Sequence, residues 1–179
     1  VCTPHIHPGR YDNTPATIQV AHRQFVAALK DAGIALQVAT AAEVRFGAEL
    51  MQGIAQGSIP FLGEWQGRKV LLLEFPHGEI PFAAERMTDW LLQRGILPMI
   101  AHPERNKGVM RAPSRLKPFI EQGCLLQVTA VLATDAHNVD YRPPVLTDGL
   151  QQAALLIGDA QAEALVRQTP WQIARGHFQ

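Results

Sequence analysis

The chain has 179 residues, 47% of them hydrophobic, and its sixteen basic residues balance sixteen acidic ones. That length suits one domain with a substantial core, and a balanced charge with no run of five like charges excludes an electrostatic footprint for nucleic acid or for an anionic membrane. Two cysteines cannot build a disulfide framework, and neither a signal peptide nor an apolar stretch of about 18 residues is read, so a cytoplasmic protein not integral to a membrane is expected.

Thr14-Pro15 reads as a helix N-cap and N1 pair. Ile18, Phe25 and Leu29 then space an apolar stripe that Gly33 ends as a C′ residue, which predicts an amphipathic helix. Ile34, Leu36 and Val38 alternate like a strand leading to Ala42-Glu43-Val44, and a shorter helix is predicted over residues 48–55. After a Gln66-Gly67 turn, the aliphatic run from Lys69 to Phe75 is typical of a strand buried on both faces; residues 82–94 follow with helical period before Gly95. Residues 96–101 read as the next strand, and 115–122 as a helix. Strands over 125–128 and 131–134, then helices over 149–156 and 160–167, complete the pattern. Sustained β/α alternation without repeats predicts an α/β fold with a mostly parallel sheet, open or closed into a barrel. One junction is awkward. Leu125 to Asp135 reads as two strands with nothing between them, although parallel strands need a crossover of about a dozen residues, so a segment is expected to be missing near Ala130-Val131.

Four short segments end in a metal-ligand type of residue: Thr3-Pro4-His5, Leu73-Glu74-Phe75, Ala101-His102-Pro103-Glu104-Arg105, and Thr134-Asp135-Ala136-His137-Asn138. Three of them follow an apolar, strand-like run, which puts each ligand where α/β folds gather their active-site groups. Chance placement explains one such residue, not four. His5, Glu43, Glu74, His102, Asp135 and His137 supply three imidazoles and three carboxylates, a set that suits manganese, iron or zinc better than calcium or a thiolate site. Metals a few ångströms apart can bind a phosphate, acidify a water and neutralise the leaving oxygen, so hydrolysis of a phosphate ester is the expected chemistry. Arg105, three residues after His102, and Arg142, five after His137, are positioned in sequence to add bidentate contacts to phosphate oxygens.

These residues differ in strength. Asp135-x-His137 puts both side chains on one face of a strand, and an unpaired carboxylate at the end of Val70-Leu71-Leu72-Leu73 would be costly without a cation. Glu43 reads equally as a ligand or a surface carboxylate, and His7, followed at once by Pro8-Gly9, equally as a ligand or a turn residue. No role is assigned to His22, His77 or His177.

Over nearly its whole length the chain resembles the bacterial PHP-type (polymerase and histidinol phosphatase) protein tyrosine phosphatases of capsular and exopolysaccharide biosynthesis. The resemblance rests on TPHIHPGRYDN (3–13), AAEVRF (41–46), LLLEFP (71–76), IAHPER (100–105), LLQVTA (125–130), VLATDAHN (131–138) and the RPP that starts at Arg142. It implies a single domain over residues 1–179, a distorted barrel of β/α units, and a centre of two or three ions, commonly manganese, with iron, zinc or magnesium as alternatives. The metal would be held by His5, Glu43, Glu74, His102, Asp135 and His137, and phosphate by Arg105 and Arg142. The implied substrate is phosphotyrosine in the C-terminal tyrosine cluster of a cognate tyrosine autokinase; a homo-oligomer stays open. Two departures accompany the resemblance. The family opens with a strand carrying Asp-x-His-x-His, to which nothing here corresponds, and it has a helix-bearing stretch between QVTA and VLATDAHN. Two further readings stay open: a small-molecule phosphoesterase of the histidinol-phosphate type, and a domain that binds a phosphorylated partner without turnover.

Overall fold

The computed structural model describes residues 1–127 and 132–178. In chain order the elements are β1 (His5–Ile6), α1 (Pro15–Asp31), β2 (Glu43–Arg45), α2 (Ala48–Ala55), β3 (Gly63–Trp65), β4 (Arg68–Glu74), α3 (Ala84–Leu92) and β5 (Ile96–Ile100). They continue with α4 (Lys107–Arg111), α5 (Lys117–Glu121), β6 (Leu125–Leu126), α6 (Thr147–Ile157), α7 (Asp159–Val166) and α8 (Gln168–Ala174). Short 3₁₀ turns cover Pro103–Arg105, Pro113–Leu116 and Arg175–His177.

The sheet order is β1-β2-β4-β5-β6 and all these pairs are parallel, while β3 pairs antiparallel with the first half of β4. The expected α/β fold with a mostly parallel sheet is therefore present. Among the described residues the sheet is open, with β1 and β6 as its edges. Because side chains alternate along a strand, β4 serves two cores at once. Leu71 and Leu73 join Val44, Ile100 and Leu126 under the helices, where Leu50, Leu91 and Phe119 complete the layer. Val70 and Leu72 join Leu97, Met99 and Ala101 on the other face, which Ile173 of α8 closes. Each fully buried leucine contributes about 2 kcal/mol, so the central run anchors both layers.

Local chemistry explains where the elements begin. At the start of α1, the Thr14 hydroxyl accepts from the Thr17 N–H at 3.2 Å, and the Thr17 hydroxyl accepts from the Thr14 N–H at 2.9 Å. Gly33 ends it at φ +68°, where a side chain would be strained. Gly63 has a different reason: a Cβ there would lie 1.9 Å from the Ile173 carbonyl oxygen, so only glycine lets β3 approach α8.

Two predicted strands are not strands. Residues 34–38 form no ladder; Ile34 and Leu36 are exposed, the chain makes only an isolated bridge at Thr40, and pairing begins at Glu43. Their alternation has no neighbouring strand to satisfy it. Leu132 to Thr134 likewise lie outside any strand, and Leu132 donates its N–H to the Leu165 carbonyl. The gap expected near Ala130-Val131 lies outside the described residues. No described helix is long and apolar enough to cross a membrane.

Candidate metal centre

Strand register assembles the centre. His5 pairs with Glu43, Glu43 with Leu72, and Arg45 with Glu74. With alternation, His5, Glu43 and Glu74 therefore share the face that carries Val70 and Leu72; His5 and Glu43 open their short strands and Glu74 ends β4. Glu43 and Glu74 are each 3% exposed. The His5 Nδ1 lies 3.7 Å from the Glu43 carboxylate and 3.9 Å from that of Glu74. Among the described residues these three form the group whose ligand atoms all lie within 4.8 Å of one another.

His102 joins them by a backbone departure. Alternation would send it to the opposite face from Ala101, but its φ of +28° breaks the strand geometry, and its Nε2 meets the Glu43 Oε1 at 2.8 Å. Since the carboxylate can only accept, Nε2 carries the proton of this bond. Its peptide is held as well: the His102 N–H donates to the Gln127 side-chain oxygen at 2.8 Å, and its carbonyl accepts from the Arg105 N–H. Burial by itself lowers the His102 pKa, but the hydrogen bond and charge of Glu43, with the charge of Asp135, outweigh it and hold the imidazole above its ordinary value.

Asp135 and His137 stand at the rim. The His5 and His137 rings are 5.8 Å apart. The His137 Nδ1–H donates to the Asp135 carbonyl at 2.9 Å, which leaves Nε2 as the ring nitrogen with a free lone pair. Asp135, at φ +49°, accepts from both Arg105 and Arg142. The structure thus gathers His5, Glu43, Glu74 and His102 into one buried cluster, and ties Asp135 to both arginines beside it. A cavity of about 670 Å³ links the two groups, with His5, Glu43, Asp135 and His137 in its wall.

Several contributors carried no assigned role in the sequence. Arg45 binds the Glu74 carboxylate at 3.2 Å and the Phe75 carbonyl at 3.2 Å; its signal was its i+2 spacing from Glu43 on one strand. Tyr11 stacks on His5, and Asn13 donates to the His5 carbonyl at 2.8 Å. His77 lies 3.7 Å from Glu74. His7 is outside the cluster; burial first, then the Arg45 charge, lowers its pKa. His22 donates to the Val38 carbonyl and tethers α1 to the unpaired segment.

The donor set fits a cation. Among the described residues His5 Nδ1 is a buried atom with no hydrogen-bond partner, and the two buried carboxylates beside it keep acceptor capacity beyond their bonds to His102 and Arg45, a donor set that a cation would complete.

The family model described as "Capsular polysaccharide synthesis, CpsB/CapC" matches residues 1–132. Tyrosine-protein phosphatase YwqE of Bacillus subtilis is 35% identical over 167 residues, covering 79% of this chain and 65% of YwqE. CapC of Staphylococcus aureus is 29% identical over 173 residues, covering 82% of this chain and 66% of CapC. The chain thus spans just under two thirds of the length of these two relatives. Its fold matches, with a TM-score of 0.86 and 26% identity, a crystal structure from work on YwqE of Bacillus subtilis and CpsB of Streptococcus pneumoniae, described as unique metal-dependent tyrosine phosphatases. That match covers 99% of this chain and 80% of the other.

Proposed function

The chain belongs to the CpsB/CapC family of capsular polysaccharide synthesis, and from that premise we propose that it is a metal-dependent protein-tyrosine phosphatase. The observation that carries the metal is the buried, partnerless Nδ1 of His5 facing two buried carboxylates. In this reading His5, Glu43, Glu74, His102, Asp135 and His137 hold the ions, manganese first, with iron, zinc or magnesium as alternatives. The bound metal supplies Lewis-acid polarisation of the phosphoryl group and lowers the pKa of a water.

The chain's own residues do the rest. Arg105 and Arg142 take the phosphate oxygens in their planar forks, exchanging the Asp135 carboxylate for the substrate. Arg45 orients Glu74, and Gln127 fixes the His102 backbone, so the ligands need little rearrangement. The cavity wall carries Tyr11, exposed and stacked on His5, and Tyr141, next in the chain to Arg142, is exposed as well. That open border admits a phosphotyrosine projecting from a protein chain and favours it over a small metabolite, which an enclosed pocket serves better. The substrate proposed is the phosphorylated tyrosine cluster of a tyrosine autokinase, met in the cytoplasm. Balanced charge argues against nucleic acid as a partner.

Elemental analysis of the purified protein, paired with hydrolysis of a phosphotyrosine peptide and of histidinol phosphate with and without added manganese, tests the reading. Bound metal with metal-dependent turnover of the peptide is expected. Faster turnover of histidinol phosphate would replace the protein substrate with a small one, and peptide binding without turnover would overturn the enzyme reading.

A further inference from the structure

Residues 132–146 contain no helix or strand, yet they carry Asp135, His137 and Arg142 to the rim of the centre. One side-chain oxygen organises the turn among them. Oδ1 of Asn138 accepts the backbone N–H groups of Asp140 at 3.2 Å, Tyr141 at 2.6 Å and Arg142 at 3.2 Å. From the other side, the Arg142 carbonyl accepts from the N–H groups of His137 at 3.0 Å and Asn138 at 3.4 Å. Packing does not hold this turn, because Val139 and Tyr141 are 79% and 88% exposed. An Asn carboxamide that bonds backbone N–H groups a few residues on is a turn-forming device.

We propose that Asn138 is a positioning residue for phosphate binding: its side-chain oxygen fixes the turn that delivers the Arg142 guanidinium to the rim of the metal centre. This rests on the phosphatase reading. Asn138 touches no phosphate itself and acts through the backbone that carries Arg142. Without its oxygen the turn must be ordered each time the arginine is used, and that cost falls on phosphate affinity and not on metal content.

A double-mutant cycle on the metal-loaded full chain tests this, with p-nitrophenyl phosphate as substrate and inorganic phosphate as inhibitor. Asn138→Ala should raise KM and the phosphate inhibition constant by roughly tenfold, with bound metal unchanged. In an Arg142→Ala background the same change should have no further effect; additive losses would overturn the proposal. Asn138→Asp keeps the acceptor oxygen and should recover the affinity, whereas a loss equal to that of Asn138→Ala would also overturn it. Solvent exchange of the 140–142 amides by NMR needs no turnover: faster exchange in Asn138→Ala supports the proposal and unchanged exchange sinks it. A wild type that hydrolyses no phosphate ester would instead overturn the phosphatase reading, and the exchange rates would still decide whether Asn138 holds the turn.

Discussion

Replacing His5 with phenylalanine should make the metal-free protein more stable and the metal-loaded protein less so. The substitution keeps the ring and its stack on Tyr11, 5.2 Å between centroids and 17° between planes, while deleting the partnerless Nδ1. An unsatisfied buried polar group costs about 1–3 kcal/mol. The His5 side chain is 23% exposed, which puts the expected gain at the low end, about 1 kcal/mol. For a chain of this size that raises the melting temperature by about 2–4 °C. With metal the sign reverses. An ion at a hundred times its Kd stabilises the wild type by about 2.7 kcal/mol, and a tenfold loss of affinity removes about half of that. Thermal unfolding with EDTA and with manganese measures both terms. A variant that melts lower than wild type in EDTA, or that keeps the full metal-induced rise, would refute the placement of a cation beside His5.

Other predictions follow from the same geometry. His102→Ala and His137→Ala should both lose turnover but separate in stability: the first breaks a charge-assisted bond to buried Glu43 and should cost about 2 kcal/mol, the second removes a half-exposed rim residue and should stay within about 0.5 kcal/mol by urea unfolding. Because Glu43 holds the His102 pKa above its ordinary value, the pair's contribution to metal-free stability is fully present below the unfolded-state pKa and is lost as pH rises through the raised one. Metal must displace that proton, so metal-induced stabilisation should grow over the same rise, and a pH-independent metal response in thermal unfolding would contradict it. Of the two cysteines, Cys2 is exposed, whereas burial pushes the Cys124 thiol up to about 11. A thiol reagent at neutral pH should therefore modify one site per native chain and two after unfolding; two fast sites would contradict the burial of Cys124.

The first helix, its cap and its glycine stop were legible because Thr14-Pro15 and Gly33 act through bonds only a few residues long. The central strand was legible because Val70, Leu71, Leu72 and Leu73 are buried alternately in apolar surroundings on two faces. The alternation of Ile34, Leu36 and Val38 misled because extended backbone becomes a strand only beside a partner, and none of the described strands lies next to it. The opposite error occurred at β3: Gly63, Glu64 and Trp65 carry little strand signal and pair because the first half of β4 offers a free edge and α8 covers them. In the site, the six proposed ligands were chosen from their residue type, from an apolar run before Glu74, His102, Asp135 and His137, and from the family resemblance. Arg45, Gln127 and Asn138 were not, since their contributions depend on which side chain or turn lies across from them.

The sequence by itself determined the inventory: an α/β alternation, a two-faced central strand, and imidazoles, carboxylates and arginines at the ends of strands, all encoded by local periodicity and residue chemistry. Only the tertiary structure decided which of those groups meet. Parallel register sets His5, Glu43 and Glu74 on one face, and left-handed backbone at His102 turns its ring to Glu43. The Asn138 turn brings Arg142 to Asp135. Such contacts join residues as far apart in the chain as His5 and Glu74, and their geometry comes from the packing of the sheet, which no window of sequence contains.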